Sequence, residues 1–587
     1  MPLFLTSALP FLAHDHASAA AFLTCRYHNF HGSMIPEFLS DEERVQKFCK
    51  ARQHNRQSKY QLTMAGETRQ YKNCYKLFVQ TPLMQFSPSL LLHEGTCAES
   101  VIKSLLATKY FTRSLQRVRF VDPDVPLTKD LFQDLSQVRS LTDLDLGWIA
   151  VEDEHMEVII NSFPSLETLT IHDCEKIEGD LNKNQEDSSL SQQAPLATNT
   201  TVRTLTLYKV VASTAVKLVP RFTNVRKLTM GPYDDPELDL HPLCSSLPLL
   251  SDLFLKGFTI KNTESLKNLG RLSSIEFSLC SIPDLNFLED QSNGTAAFPQ
   301  LRTLWISDWR NRLISSFASL VHAPNLEALS ITSDAFNNGC LKYLENMVHL
   351  RKLDLRSCDI QGDLSLKRLL QSLAGLEELD LSGCSIGNEC AILQALYNRH
   401  SQLRVLNLDS CELVDADLKG IGALKNSLEE LVLSSNEELT TEALVHCSGL
   451  KRLKSLRLGF CDGVDDLSPL GGCVNLGNLD VTYCSQLTDD SFKIFSEEPN
   501  SFPNLQSLEI CTASKLTGKT LEHLSKNNHL VYQLKDLHFN MKLTNVLESS
   551  ETARNNICKL QGLRKLDKAG SAKTELMRRL KNIEQMF

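Results

Sequence analysis

The chain has 587 residues, 61 Lys and Arg against 71 Asp and Glu, and a formal net charge of -10. Scattered bases in an acidic chain argue against nucleic-acid affinity, which needs a basic stripe to displace counterions. No apolar run approaches the roughly 20 residues that span a bilayer, so no membrane span is expected. At the N-terminus residues 3–13 are apolar and Ala17-Ser18-Ala19 resembles a signal-peptidase site. Yet Pro10 interrupts the run, no basic segment precedes it, and His14, Asp15 and His16 intervene, so secretion is not expected. Cys25, His28 and His31 could offer three of the four ligands zinc prefers, but no Cys-x-x-Cys pair accompanies them, and no metal is expected. Residues 1–105 do not repeat and read as an irregular, mainly helical N-terminal element.

From residue 106 to 568 the chain repeats the motif L-x-x-L-x-L-x-x-C. It is cleanest at Leu350, Leu353, Leu355 and Cys358, at Leu376, Leu379, Leu381 and Cys384, and at Leu403, Leu406, Leu408 and Cys411. Seventeen starts fall at positions 115, 141, 166, 202, 225, 250, 272, 301, 326, 350, 376, 403, 428, 453, 476, 505 and 534. Most lie 22 to 29 residues apart, which leaves room for a strand, a turn, a helix and a return loop. Such units cannot bury their apolar side alone, so the pattern predicts a right-handed α/β leucine-rich-repeat solenoid, with a parallel sheet on the concave face and helices on the convex one. The long interval from Leu166 to Val202 places a polar surface loop at 180–200, and residues 290–295 form a smaller polar insertion. Leu563 and Leu566 belong to a decayed motif with Lys568 at the third apolar site, read as a capping unit; residues 569–587 should cap it with a charged helix.

Seven of the 18 cysteines, Cys174, Cys280, Cys358, Cys384, Cys411, Cys461 and Cys484, lie eight residues after a repeat start, and Asn436 fills the same slot in its own repeat. Periodic thiols inside turns are repeat residues rather than a disulfide framework, which points to a reducing compartment, cytoplasmic or nuclear. No G-x-x-x-x-G-K-[ST] loop, G-x-S-x-G elbow or H-E-x-x-H helix occurs, so neither enzyme chemistry nor a cofactor is expected.

Repeats within 350–495 carry more: Cys411, Leu413, Asp415 and Leu418, then Cys484, Leu487, Thr488, Asp489 and Phe492. This resembles the C-x-x-L-T-D-x-x-L pattern of cysteine-containing repeats in F-box/leucine-rich-repeat proteins. The resemblance covers roughly 115–540 and implies a substrate-recognition subunit of an SCF-type ubiquitin ligase. Leu12, Asp15, Ala20, Leu23, Thr24, Cys25, Arg26, Phe30 and Pro36 look like the second half of an F-box at 1–40. Its opening Leu-Pro helix is missing, and His28 stands where an aromatic is common. The resemblance would make Leu12, Leu23 and Phe30 the face that docks the SCF adaptor subunit. The alternatives are a repeat scaffold with no ligase link and, third, a GTPase-activating repeat protein. The Thr/Asp pair of the motif reads as a helix N-cap.

Strand alternation turns the residue between the second and third leucines toward the concave side. In that column Phe254 and Trp305 replace the usual short polar residue and are candidate anchors for a protein target, as is Arg457. Asp354, Glu378, Asp380, Asp409 and Glu430 form an acidic strip, offset only partly by Lys352 and Arg356, that could steer a basic partner.

Overall fold

The computed structural model describes residues 115–566, interrupted at 121–127, 148, 179–196, 234–236, 291–294, 308–313, 315, 388–389, 400, 512–514, 540–549 and 564; before them it describes the backbone of four strands. Two compact units divide the chain, Met1–Ile282 and Pro283–Phe587.

Each of the seventeen motif starts is followed by a strand in parallel register with its neighbours inside its unit. This is a leucine-rich-repeat solenoid. In the second unit Leu353, Leu379, Leu406, Leu431 and Leu456 are register partners from strand to strand, all at most 2% exposed. That column is the core of the array, because one apolar side chain from every repeat fills the space its neighbour leaves.

Behind the strands, five segments are α-helical over seven to ten residues in the second unit, such as Leu364–Ser372, Thr441–Cys447 and Gly518–Lys526. Others, such as Ala318–His322, Asn338–Tyr343 and Ser468–Gly472, wind only as 3₁₀ turns. Short intervals with Gly, Pro or Asn favour the tighter winding. Capping is divided between repeats. Asp363, Thr440 and Thr517 accept N–H groups at the start of their own helices, as expected of N-cap residues. The motif aspartates instead reach across to the next repeat. Asp415 accepts from Thr440 N at 2.8 Å and Oγ1 at 2.6 Å, and Asp489 accepts from Thr517 and Thr520 in the same way. The Thr/Asp pair therefore both caps a helix and ties neighbouring repeats together.

The array begins earlier than 106. Strands Tyr60–Ala65, Ser89–Leu92 and Arg117–Phe120 pair in parallel, with Leu62, Leu90 and Val118 in register. Two repeats were hidden because Lys59 and Ser87 stand where the first leucine of the motif would be. Of residues 1–40, where a helical hairpin is expected, two stretches are described and both are strands: Phe22–Tyr27 pairs antiparallel with Phe30–Met34 and, along its other edge, with Tyr60–Ala65. Thr24, Tyr27 and Phe30 favour an extended backbone, which fits a strand better than an F-box helix. Leu23 and Phe30 thus lie in strands, and Leu12 lies outside the described residues.

The polar insertion at 290–295 is a small hairpin, with Glu289–Asp290 paired antiparallel to Thr295–Ala296. The decayed motif at Leu563 still makes a strand, Lys565–Leu566, against Asp536–Phe539. Most of the loop at 180–200, and the cap helix at 569–587, lie outside the described residues. Among the described residues no helix is long and apolar enough to cross a membrane.

All seven repeat cysteines are buried and unbridged. Cys174 donates within its own repeat, to Ile171 O; the other thiols form a ladder of donors to the preceding repeat, among them Cys358 Sγ to Ile331 O at 3.2 Å, Cys384 to Leu355 O at 3.3 Å, Cys411 to Leu381 O at 3.1 Å, Cys461 to Leu433 O at 3.2 Å and Cys484 to Leu458 O at 3.1 Å. Burial pushes the thiols of Cys358, Cys461 and Cys484 up to about 12, that of Cys384 up to about 11, and those of Cys174 and Cys411 up as well. Thiolate is the reactive form, so these groups should resist a disulfide reagent at about pH 8 in the folded chain, whereas exposed Cys558 reacts. Mass-resolved labelling of native and urea-unfolded protein checks this; rapid native labelling of the ladder would contradict it.

Candidate partner-binding face

The strands present two alternating sets of side chains, and the set pointing away from the leucine core is the candidate interface. In the first unit Phe254 is half-buried, with Lys227 Nζ 4.8 Å from its ring centroid. A cation over the ring takes up the face a partner would use. Glu276, its register partner in the next strand, is held above the ordinary carboxylate value by burial, against the pull of Lys227. Phe254 thus shares its ring with Lys227, whereas among the described residues no such cation lies over Trp305.

In the second unit Trp305 is different. It sits at the centre of Thr303–Ser307, beside Ser330 in the next strand, and is 45% exposed. Leu304 and Ile306 on either side of it are buried, so the strand is fixed by its inward residues and the indole is left to solvent.

The acidic strip is less acidic than its sequence. Arg356 forks onto Asp354 through Nε and Nη2, the latter at 2.6 Å, and lies 3.7 Å from Asp380. Hydrogen bonding to Asp354 raises the Arg356 guanidinium above its ordinary value, against the effect of burial. Ser330 donates to Asp354 at 3.0 Å, Asn407 donates to Asp380 at 2.9 Å, and Lys352 pairs with Glu378 at 2.7 Å. Glu430 lies 3.9 Å from exposed Arg457. Stacking repeats in register brings these residues together, and most of the strip's charge is spent inside the sheet. Asp409 is the exception: among the described residues it has no ion pair, only a 3.3 Å bond from Ser410.

Where the chain enters the strands, bases converge on carboxylates. Arg404, Arg452 and Lys454 surround Glu429, whose carboxyl is held down at about 2 by hydrogen bonds from Lys454 and Arg404. The opposite ends of the strands carry a feature that the column reading missed. Phe460 and Tyr483, each just before a repeat cysteine, are 51% and 47% exposed and stack with ring centroids 4.3 Å apart and planes 7° from parallel. A signal for them was available in the sequence, since two consecutive repeats place an aromatic immediately before the ladder cysteine where Ser357, Gly383, Ser410 and Ser435 are small.

No family model matches the chain. It is 27% identical over 283 residues, 41% of its length, to mouse (Mus musculus) baculoviral IAP repeat-containing protein 1e, and the match spans 20% of that protein. It is 23% identical over 346 residues to mouse baculoviral IAP repeat-containing protein 1b, across 49% of this chain and 24% of that one. The chain thus corresponds to a fifth to a quarter of these relatives' length. Among solved structures, an internalin of Listeria monocytogenes superposes with a TM-score of 0.40 at 17% identity, covering 62% of this chain and 86% of that one. Yeast Rad7, in its complex with Elc1, gives 0.38 at 17%, covering 67% and 85%.

Proposed function

We propose that the chain is a non-catalytic interaction module that holds a protein partner on the solvent face of its strands, in the cytosol or nucleus. Trp305 carries this reading: a 45% exposed indole in mid-strand, on a face where Asp354, Glu378 and Asp380 are already paired or hydrogen-bonded. Large exposed aromatics on a rigid sheet lose little entropy on binding and dominate interface energetics. The unbridged buried thiols support a reducing compartment.

The narrower reading, a substrate-recognition subunit of an SCF-type ligase, needs a helical adaptor-docking element before the array. The strands at Phe22–Tyr27 and Phe30–Met34 give it no support, and a GTPase-activating role finds none in the described residues. A scaffold without a ligase role is the function we favour.

The test is affinity capture from cell extract by the full chain and by Trp305→Ala, read by quantitative mass spectrometry. A specific partner should fall by about tenfold or more with the variant while its melting temperature stays unchanged. Asp380→Lys is a poorer probe, because Asp380 also accepts from Asn407 and Ser382 and its loss would disturb the array. An identical captured set with wild type and Trp305→Ala would move the interface off this face.

A further inference from the structure

Where six consecutive strands of the second unit end, one residue per repeat takes a left-handed backbone: Ser357, Gly383, Ser410, Ser435, Phe460 and Tyr483, with φ from 54° to 73°. The structural work at this position is done by the backbone. Its N–H donates to the next repeat's carbonyl in every case, Phe460 N to Thr482 O at 2.8 Å and Tyr483 N to Cys511 O at 2.9 Å as in the serine and glycine repeats. The side chain adds nothing to that bond, and small residues suit the conformation better than aromatics. Two adjacent repeats nevertheless carry Phe460 and Tyr483, each about half exposed and stacked on the other. The pair presents aromatic surface to solvent without filling any core.

The charge around the pair says what would cover it. The turns at 409–417, 434–440, 459–466 and 482–490 contain eleven Asp or Glu and no Lys or Arg. Glu437, Glu438 and Asp462 are exposed and, like Asp409, have no ion pair among the described residues. Next to Phe460 in sequence, the Cys461 thiol is raised by burial and further by Asp409 and Asp462, and Asp462 accepts from Ser485 N at 3.2 Å. At the strand-entry ends Arg404, Arg452 and Lys454 are engaged by Glu429, and near the last of these turns Lys493 pairs with Asp490 while Lys515 donates to Gln486, which leaves Asp409, Glu437, Glu438 and Asp462 without an ion pair among the described residues. Aromatic faces beside such acids attract a cation that can also stack flat, and the guanidinium group does both.

We propose that Phe460 and Tyr483, with Asp409 and Asp462, form a docking site for an arginine-bearing segment of a partner protein. This deepens the partner-binding role above and rests on it. A planar guanidinium lies against a ring while its N–H groups donate to the carboxylates, and the surrounding acidic turns speed the encounter.

The experiment uses the full chain and a fluorescein-labelled decapeptide of alternating Gly and Arg, its Gly/Lys counterpart and a Gly/Glu control, read by anisotropy at low and physiological salt. The arginine peptide should bind, the lysine peptide several-fold more weakly, and the glutamate peptide not at all. Phe460→Ser and Tyr483→Ser should each weaken arginine-peptide binding by about tenfold. Both variants install the residue that Ser410 and Ser435 supply in neighbouring repeats, so folding should survive; Asp462→Asn is the second probe and should weaken binding and flatten its salt dependence. Equal binding of arginine and lysine peptides that is untouched by the serine variants would mean a diffuse acidic surface and would overturn the site, as would no binding of the arginine peptide. The Trp305 face is read separately, by partner capture from extract, so failure here is distinguishable from failure of that reading.

Discussion

Asn436→Ala should destabilise the second unit by about 4 kcal/mol, among the largest effects of any polar substitution in the chain. Asn436 is fully buried in the slot that cysteine fills in neighbouring repeats. Its Oδ1 accepts from Cys411 N and Leu413 N, both at 3.0 Å, and its Nδ2 donates to Leu408 O at 2.9 Å and Leu433 O at 2.8 Å. Alanine removes every one of these bonds and admits no compensating water without opening the turn. Two backbone N–H groups are then left buried without their acceptor, at about 1–3 kcal/mol each. Asn436→Cys should recover part of the loss, because a thiol can donate to Leu408 O as Cys411 donates to Leu381 O, but it cannot hold the two N–H groups. Urea unfolding of the three proteins should therefore rank wild type above cysteine and cysteine above alanine. A cysteine variant no better than alanine would show that the ladder bond contributes little.

That slot illustrates how far the sequence could be read. The leucine and cysteine columns were legible because each repeat must offer the same apolar atoms to its neighbours, so periodicity survives even where the rest of a repeat diverges. Where the first leucine is replaced, as at Lys59 and Ser87, the period is hidden although Leu62 and Leu90 are register partners in parallel strands. The F-box-like residues at 12–36 illustrate the opposite difficulty: scattered identities with no periodicity could not separate helix from strand, and where the backbone is described Phe22–Tyr27 pairs antiparallel with Phe30–Met34.

The binding face was legible only one strand at a time. Alternation turns Trp305 toward solvent, but the pairing of Asp354 and Asp380 depends on Arg356, which holds Asp354 in its own repeat and reaches Asp380 in the next. Such neighbours are about two dozen residues apart, and a column read down one position does not show which long side chain will span to it. Phe460 and Tyr483 were missed for a simpler reason: they lie beyond the strand, in a column that holds serine or glycine in the four preceding repeats and draws no notice.

Leu379→Ala should cost about 2–5 kcal/mol, and the way the loss spreads is as informative as its size. Leu379 is 1% exposed in Glu378–Asp380 and stands in register between Leu353 and Leu406. Truncation removes three buried carbon atoms and leaves a cavity whose walls belong to three repeats, and short strands tied on both sides cannot close on it easily. Because each repeat meets only its neighbours, the array behaves as a chain of coupled units rather than a single cooperative core. Hydrogen exchange should therefore speed most in the strands around Leu353, Leu379 and Leu406, less around Leu431, and little around Leu508. A cost below about 1 kcal/mol would mean that Leu379 is not a core residue. A loss of protection spread evenly over the second unit would instead show that its repeats unfold together, and that coupling between neighbours outweighs the stability of any one of them.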